Sequence, residues 1–380
     1  MNPFSPGPAK QPPLLAGREV AHRVLDDQLV EAQAGRGHQP VVLFGERGMG
    51  KTVLLDRTIR EAQGRGWAAL RVEAQRDAPL GVTLANELAE LYRQLPGRLG
   101  RPPRWLRQFK VSFGGHIAGA EVQVAPQPKP DYGRPPSVYD SLAEIAQRAS
   151  RPGRGVFVAV DEIHHAPMSD VRELGRLVQA ANGEGWHFVL AAAGLPEIRL
   201  RILDEAPTYA TRFYFQPVER LSPDDTKAAF VVPANQEGRL IEPAALDELV
   251  ALTAGYPYFV QLYGRELWDL AEANPIVATD VAKAHQSAMA VLDHGPYGAS
   301  WATLRPSEQR FISAMAAVDA YPVPLKEVVG HLGLTVNSAS SLRQRVMGSG
   351  LVEPAGHGLL SFVWPGFREY VRALHPFGQP

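Results

Sequence analysis

The sequence contains no cysteine among its 380 residues. This absence excludes disulfide bridges, thiolate zinc sites, iron–sulfur clusters and cysteine nucleophiles. The chain also lacks the run of about 18 apolar residues that a membrane-spanning helix needs, and its first residues carry no apolar signal segment. We therefore expect a cytoplasmic protein that makes no use of a membrane.

The sequence also has no large excess of positive or negative charge. Lys and Arg number 39 against 40 Asp and Glu, which gives a net charge of −1. A polyanionic partner would have to be held by a local patch, because the overall field is close to neutral. At about 100 to 200 residues per domain, the length indicates two or three domains.

Short apolar runs alternate with helical patterns over the first half of the chain. Runs bounded by turn residues are typical of buried strands, and strands that alternate with helices predict a parallel sheet covered on both faces. The expected strands are 40–44, 67–72, 156–160, 187–193 and 213–217. The expected helices between them include 51–63, 82–95, 138–149 and 170–181, the last with Ser169 as its N-cap and Gly183 as its stop.

The second half of the chain changes character at Ser222, where a capping hydroxyl and a first-turn proline precede a series of helical patterns that continues to Val291. A Gly/Pro-containing link, 293–300, follows. The tail then shows helices at 306–317, 325–332 and 336–347, followed by two short strands, 351–353 and 359–364. Three helices followed by a hairpin are the order of a winged helix.

Residues 45–52 carry the clearest chemical signal. They match G-x-x-x-x-G-K-[ST], stand directly after a predicted strand and open a helix. In such a loop the backbone N–H groups surround phosphates, Lys51 reaches the β/γ oxygens and the Thr52 hydroxyl binds Mg²⁺. The expected ATP contacts are Gly45, Glu46, Arg47, Gly48, Met49, Gly50, Lys51 and Thr52.

Two carboxylates follow the buried strand 156–160. Asp161 and Glu162 would stand at the carboxyl edge of the sheet, where Asp161 suits Mg²⁺ and Glu162 suits the polarisation of an attacking water. His164 and His165 come next, but a metal site would need further ligands that the sequence does not place. We therefore interpret both histidines as packing or solvated side chains.

With these motifs in place, the chain resembles the AAA+/STAND P-loop ATPases related to origin-recognition initiators and archaeal-type ATPases. The remaining motifs that carry the resemblance are Gly17-Arg18-Glu19, Ala191 to Pro196, Tyr209 to Phe213 and Gly255 to Gly264. It runs from about Leu14 to the C-terminus. It implies ATP and Mg²⁺ as cofactors, ATP hydrolysis as the activity, and a nucleotide-dependent homo-oligomer as an expected assembly.

The family's other functional positions match less evenly. Arg212 stands before the fifth strand, where the family places an arginine that senses the γ-phosphate, often across a subunit interface; Arg199 and Arg201 are rivals for this role. Pro257 matches the G-x-P variant of STAND proteins and would lie at the nucleotide. The first-sensor position falls among Ala191 to Ala193, which predicts slow turnover.

The sequence of the tail is compatible with two kinds of partner, DNA or a protein. Its third helix exposes small, hydroxylic and basic side chains suited to DNA phosphates and base edges. These candidate DNA contacts are Ser338, Ser341, Arg343 and Arg345. From residue 303 to 380, however, seven Lys or Arg face five Asp or Glu, short of a strongly basic footprint, so a protein-binding winged helix is the alternative.

The sequence thus predicts an α/β P-loop NTPase with a parallel AAA+/ASCE-type sheet, a helical lid and a C-terminal winged helix. The expected divisions are a flexible lead at 1–13, the ATPase domain at 14–220, the lid at 221–300 and the winged helix at 301–380. An insertion at about 96–136 carries a basic and aromatic run that could hold single strands or stay solvated. The function is either a DNA-associated ATPase or a STAND-type nucleotide-gated switch or scaffold.

Overall fold

The structure is a computed structural model that describes residues 1–7, 10–76, 78–95 and 137–378. Two compact units divide the chain. One contains residues 18–219, and the other combines residues 1–17 with 220–380. The predicted insertion at 96–136 lies outside the described residues, and so does its basic and aromatic run.

A five-stranded parallel sheet forms the centre of the unit 18–219. Its strands are β1 (Val41–Phe44), β2 (Ala68–Glu73), β3 (Val156–Asp161), β4 (Phe188–Gly194) and β5 (Tyr214–Pro217). They lie in the order β2-β3-β4-β1-β5. Because β4 separates β1 from β3, the loop after β1 and the acidic end of β3 meet across one strand, as in the AAA+/ASCE-type sheet that the sequence predicts.

Helices cover this sheet and explain its apolar strands. Every residue of β3 and β4 is buried, which fits central parallel strands covered on both faces. The helices of this unit are α1 (Glu19–Gln33), α2 (Lys51–Gly64), α3 (Leu80–Gln94), α4 (Val138–Ala149), α5 (Met168–Glu184), α6 (Glu197–Glu205) and α7 (Pro207–Ala210).

Helix α5 extends beyond its predicted bounds. It begins after Pro167 and ends at Gly185, whose φ of 69° is the left-handed conformation that favours glycine at a helix end. Ser169 therefore lies in the first helical turn, where it is no N-cap, and Gly183 lies in the last turn. The sequence pattern named the wrong serine and the wrong glycine, since both residue types are tolerated inside a helix near its ends.

Four helices make up the first part of the other unit. They are α8 (Pro223–Gln236), α9 (Pro243–Thr253), α10 (Pro257–Leu270) and α11 (Ala278–Leu292). The predicted cap is present, because the Ser222 side chain accepts a hydrogen bond from the backbone N–H of Asp225. The helical patterns that the sequence predicts after Ser222 are therefore present.

The segment 293–300 is helical, whereas the sequence predicts a Gly/Pro-containing link. Residues 293–297 continue α11 as a π-helical turn with a break at Gly295, and α12 (Gly298–Ala302) follows. Tyr297 is fully buried, and its ring lies 5.9 Å from that of Trp364 and 5.2 Å from that of Phe367, centroid to centroid. Aromatic packing thus turns the expected link into a core that joins the lid to the tail.

The tail contains the predicted three helices and hairpin, with additions. Its elements are α13 (Pro306–Ala317), β6 (Val323–Pro324), α14 (Leu325–His331), α15 (Ser340–Gly348), β7 (Val352–Pro354), β8 (Leu359–Phe362) and α16 (Phe367–Leu374). The three strands are antiparallel in the order β6-β8-β7. Sequence reasoning missed α16, although Phe367, Tyr370 and Val371 are buried at the spacing of one helix face.

The third helix of the tail begins later than predicted. The sequence pattern starts it at Val336, but α15 begins at Ser340. Thr335 and Ser338 form a local turn in which the Ser338 hydroxyl donates to the Thr335 carbonyl at 2.9 Å and accepts from the Thr335 N–H at 2.9 Å. Such side-chain bonds compete with helical ones and delay the helix.

The N-terminal lead, predicted as a flexible segment at 1–13, contains one buried aromatic side chain. Phe4 is only 5% exposed, and its ring lies 6.1 Å from that of Phe230 and 6.4 Å from that of Trp268. Gly264 gives it room, because a Cβ at that position would lie 2.4 Å from the Phe4 ring. The sequence analysis missed this buried aromatic residue because the residues around it are mostly proline and polar.

We expect Phe4→Ala to destabilise the unit that contains the lid by about 3 kcal/mol, since removing a buried aromatic ring leaves a cavity. Urea unfolding followed by tryptophan fluorescence measures the change, because Trp268 borders the cavity. Leu240→Ala is the matched control, as Leu240 is 57% exposed and belongs to the same unit. Equal midpoints for the two variants would contradict the anchoring role.

Among the described residues, no helix combines the length and the apolar character that crossing a membrane requires.

Candidate nucleotide site

The loop between β1 and α2 has the backbone that phosphate binding needs. Gly48 and Gly50 have φ values of 79° and 85°, in the left-handed region where a side chain would be strained. A Cβ on Gly45 would lie 2.1 Å from the carbonyl oxygen of Val218, so only glycine fits between β1 and the end of β5. The loop therefore turns its backbone toward the N-terminus of α2, where N–H groups and the helix dipole favour an anion.

Lys51 is the first residue of α2, and its side chain lies over the loop. Its Nζ donates to the carbonyl oxygens of Gly45 at 2.7 Å and Glu46 at 2.6 Å. Burial lowers the pKa of Lys51 to about 8, although the nearby carboxylates of Glu162 and Asp161 favour the charged form. The loop thus holds a desolvated ammonium group at the place where the sequence predicts phosphate oxygens.

Thr52 and Asp161 meet across the central strand. The Thr52 hydroxyl donates to Oδ2 of Asp161 at 2.8 Å, and Asp161 is 6% exposed. Arg71, at the end of β2, lies 3.7 Å from the same carboxylate oxygen and 3.3 Å from Asp56. A hydroxyl and a carboxylate are hard oxygen ligands, so this pair fits Mg²⁺.

Glu162 stands beside this pair in a strained backbone conformation. Its φ of 51° is unusual for a residue with a side chain, and such strain persists where the surroundings fix it. Its N–H donates to Oδ1 of Asp161 at 3.0 Å. Burial, followed by the neighbouring Asp161 carboxylate, raises the pKa of Glu162. The carboxylate is therefore a better proton acceptor than an exposed one.

The two histidines after Glu162 lie in a single 3-10 turn, Ile163–His165. Glu162, His164 and His165 each offer a ligand atom within 4.8 Å of the others. Nε2 of His165, however, accepts a hydrogen bond from Nε of Arg76 at 3.1 Å. Burial, followed by the neighbouring His165 and the charges of Arg47 and Lys51, lowers the pKa of His164. The positive charges beside the two rings disfavour a metal ion here.

Arg18 is a structural part of the site whose contacts the sequence did not reveal. It is 7% exposed and donates to the carbonyl oxygen of Met49 at 3.1 Å and to that of Glu219 at 2.7 Å. The guanidinium thus fixes the phosphate loop from the chain just before α1. The Gly17-Arg18-Glu19 motif marked this residue without showing what it touches.

The three arginines considered for γ-phosphate sensing lie in different surroundings. Arg212 is exposed and donates to the Gln179 side chain. Arg201 bonds the carbonyl oxygen of His164 and pairs with Glu205 at 3.3 Å. Arg199 lies 5.8 Å from the centroid of the Phe44 ring. Arg201 and Arg212 thus both bind groups of their own domain, so these contacts do not choose between the three arginines.

The other predicted positions lie in the second unit. Pro257 is the first residue of α10, where its missing N–H costs nothing. Arg345 pairs with Glu308 at 3.3 Å, and Arg343 has its Nε buried without a partner among the described residues. Ser341 is exposed on α15, whereas Ser338 is used in the turn before it. The four candidate DNA contacts therefore do not form one uniform surface.

This sheet order and the loop after β1 define the P-loop NTPase fold of the AAA+/ASCE type. Residues 14–190 match the family model of the AAA ATPase domain, which confirms the predicted resemblance to AAA+ ATPases over this part of the chain. A second model, described as a domain of unknown function, matches residues 294–371. No curated protein matches the chain.

Solved structures share the fold over nearly the whole chain. The Walker-type ATPase of Pyrococcus abyssi is 16% identical, with 94% of this chain and 96% of that chain covered and a TM-score of 0.61. The Aeropyrum pernix ORC2 protein is 14% identical over 96% and 95%, with a TM-score of 0.59. The Aeropyrum pernix ORC1 protein, in complex with DNA, is 17% identical over 96% and 94%, with a TM-score of 0.52.

Proposed function

We propose that the chain binds ATP with Mg²⁺ and hydrolyses it slowly, and that the cycle drives a conformational change or assembly. The observation that carries this proposal is the meeting of Lys51, Thr52, Asp161 and Glu162 at one edge of the sheet. Lys51 and the loop would hold the phosphates, and Glu162 would orient and polarise the attacking water. Ala191 to Ala193 leave the first-sensor position apolar, which supports slow turnover.

Thr52 and Asp161 would hold the Mg²⁺. When bound, the ion neutralises charge on the β and γ phosphates. Asp161 is suited to this because its Oδ1 is already oriented by the N–H of Glu162, while Oδ2 faces the Thr52 hydroxyl. Arg71 lies 3.7 Å from the same Oδ2 and adds a positive charge beside this buried carboxylate.

The lid and the tail are suited to move as one body. Arg220 lies 4.7 Å from the centroid of the Tyr256 ring and donates to Glu353 at 3.2 Å and to the Val363 carbonyl at 3.1 Å. Tyr256 directly precedes Pro257, so the hairpin of the tail is connected to the start of α10. If nucleotide binding displaces the lid, the tail would therefore move with it, because these contacts join the two directly.

We propose further that the tail is a winged helix that contacts DNA. Its order of three helices and a hairpin supports this, and so does the shared fold with the ORC1 protein solved in complex with DNA. Helix α15 would be the element that enters the major groove. Of the predicted contacts, Ser341 and Arg343 are better placed than Arg345, because Arg345 already compensates the buried Glu308.

The second candidate is a STAND-type switch in which the tail binds a protein. Three observations favour it: the apolar first-sensor position, Pro257 at the start of α10, and the small basic excess of the tail. In this case the nucleotide state would control self-association or partner binding, and DNA would have no effect.

One experiment separates these functions. ATP turnover is measured with and without duplex and single-stranded DNA, and particle mass is measured in ADP and in ATP. Turnover that DNA stimulates supports the DNA-associated ATPase. Nucleotide-dependent mass without a DNA effect supports the switch, and absence of both turnover and ATP binding would refute the proposal.

If α15 binds DNA, Arg343→Ala should lower the slope of log affinity against log salt by about 0.9, since one phosphate contact is lost. Fluorescence anisotropy with a duplex at low salt measures the slope, because the electrostatic attraction is largest there. Arg310→Ala is the control, as it removes an exposed positive charge from α13. Equal slopes for both variants would indicate a general charge effect and contradict a contact by Arg343.

Arg212 is proposed to act on the nucleotide of a neighbouring subunit. Its exposed position directly before β5 supports this, and an arginine in trans acts only in an assembly. Specific activity that no longer rises with protein concentration in Arg212→Ala would support the role. Retention of the rise would move the role to Arg199 or Arg201, or remove it altogether.

A further inference from the structure

His164 is buried between the ends of β3 and β4, next to Glu162. Its side chain is 4% exposed. A Cβ on Gly194 would lie 3.1 Å from Ile163 and 3.5 Å from the N–H nitrogen of His164, so the turn after β3 presses on the end of β4. Arg201 fixes the same turn by donating to the His164 carbonyl oxygen. The imidazole is therefore held in place by its surroundings.

The contacts of the ring define which nitrogen carries the proton. Nδ1 accepts a hydrogen bond from the N–H of Leu195 at 3.4 Å, directly after β4. A nitrogen that accepts has no proton, so the neutral ring carries its proton on Nε2. Burial lowers the pKa of His164 to about 4, which agrees with a neutral ring.

The protonated nitrogen faces the catalytic carboxylate. Nε2 lies 3.3 Å from Oε2 of Glu162, within ion-pair distance but without the alignment of a hydrogen bond. Among the described residues, Nε2 finds no other partner, although it is fully buried. An unsatisfied buried N–H costs free energy, and a small rotation of Glu162 would satisfy it.

We propose that His164 is a positioning residue that holds Glu162 through its Nε2–H and connects that carboxylate to the end of β4. This inference rests on the proposed ATP hydrolysis and adds a residue to it. The end of β4 is where the apolar Ala191 to Ala193 leave the chain without a polar sensor. His164 supplies a polar group at that place from the neighbouring strand.

Two substitutions separate the hydrogen bond from the packing. His164→Asn keeps an oxygen at the δ position that can accept from Leu195, but has no donor at the ε position. His164→Gln can place an N–H donor at the ε position. We expect the Asn variant to lose about tenfold to a hundredfold in kcat at unchanged KM, as for one hydrogen bond to a charged group. The Gln variant should recover most of this loss.

The test is steady-state ATP turnover of the full chain, with ATP affinity and thermal midpoint measured on the same preparations. His165→Asn is the matched control in the same turn and should retain the parental rate. Parental kcat in His164→Asn, or equal losses in the Asn and Gln variants, would overturn the positioning role. If the parent turns over no ATP, the proposed hydrolysis itself fails. If the parent is active and the His164 variants keep its kcat, only the positioning role fails.

Discussion

Replacing Glu162 with glutamine should reduce ATP turnover by about 10² to 10⁴ while leaving ATP binding intact. A general base contributes a factor of this size, and an amide cannot accept the proton of the attacking water. Glutamine has the same shape as glutamate, so Lys51 and the loop that we propose to hold the phosphates should not be disturbed. Turnover by phosphate release and affinity by titration with a fluorescent ATP analogue measure the two effects separately.

Glu184→Gln is the matched control, because this exposed residue at the end of α5 carries the same charge far along the chain from the phosphate loop. It should behave as the parent in both measurements. Parental turnover in Glu162→Gln would show that another group activates the water, and it would remove the basis for the role of His164.

The phosphate-binding side of the site could be predicted because its signal is local in sequence. Gly45, Lys51 and Thr52 belong to one continuous segment from the loop after β1 into the first turn of α2, and Asp161 ends a single apolar run. The sheet order could not be predicted in this way, because β4 enters between β1 and β3 through pairings of residues far apart in the chain. Thr52 and Asp161 meet only as a result of that order.

The residues that sequence reasoning missed depend on contacts of the same long-range kind. Arg18 reaches the carbonyl of Glu219, about two hundred positions away, and Phe4 packs on Trp268. His164 looked like a packing residue because its hydrogen bond with the N–H of Leu195, directly after β4, joins residues far apart in the chain. Long-range contacts also explain Tyr297. Its segment contains Gly and Pro and suggests a linker, but aromatic rings of the tail pack on Tyr297 and fix the segment.

The number of basic residues in the tail can be counted from the sequence, but the contacts that each of them makes cannot. Arg345 adds to the positive charge of the sequence, yet its pair with the buried Glu308 limits its use for a phosphate. The sequence suggests that the Ser338 hydroxyl is available for DNA, but in the structure it forms hydrogen bonds within its turn with Thr335. Charge and hydroxyl content therefore overstate the surface that α15 can offer to DNA.

Lys51→Ala should abolish ATP binding, in contrast to Glu162→Gln. The ammonium group is buried and already oriented by the carbonyls of Gly45 and Glu46, which places its charge at the loop before any ligand arrives. A hydrogen bond between charged partners contributes about 1.5 to 3 kcal/mol, and Lys51 is expected to make more than one to the phosphates. The affinity for ATP should therefore fall by at least about a hundredfold.

Isothermal titration of the purified chain with ATP and Mg²⁺ measures this loss, and a thermal midpoint confirms that the variant is folded. Lys227→Ala is the control, since this exposed lysine pairs with Asp247 in the other unit. The alanine variant also frees the two carbonyls, which water can satisfy, so the loop should keep its shape. If Lys51→Ala binds ATP with parental affinity, the phosphates are held elsewhere and the loop after β1 is not the nucleotide site.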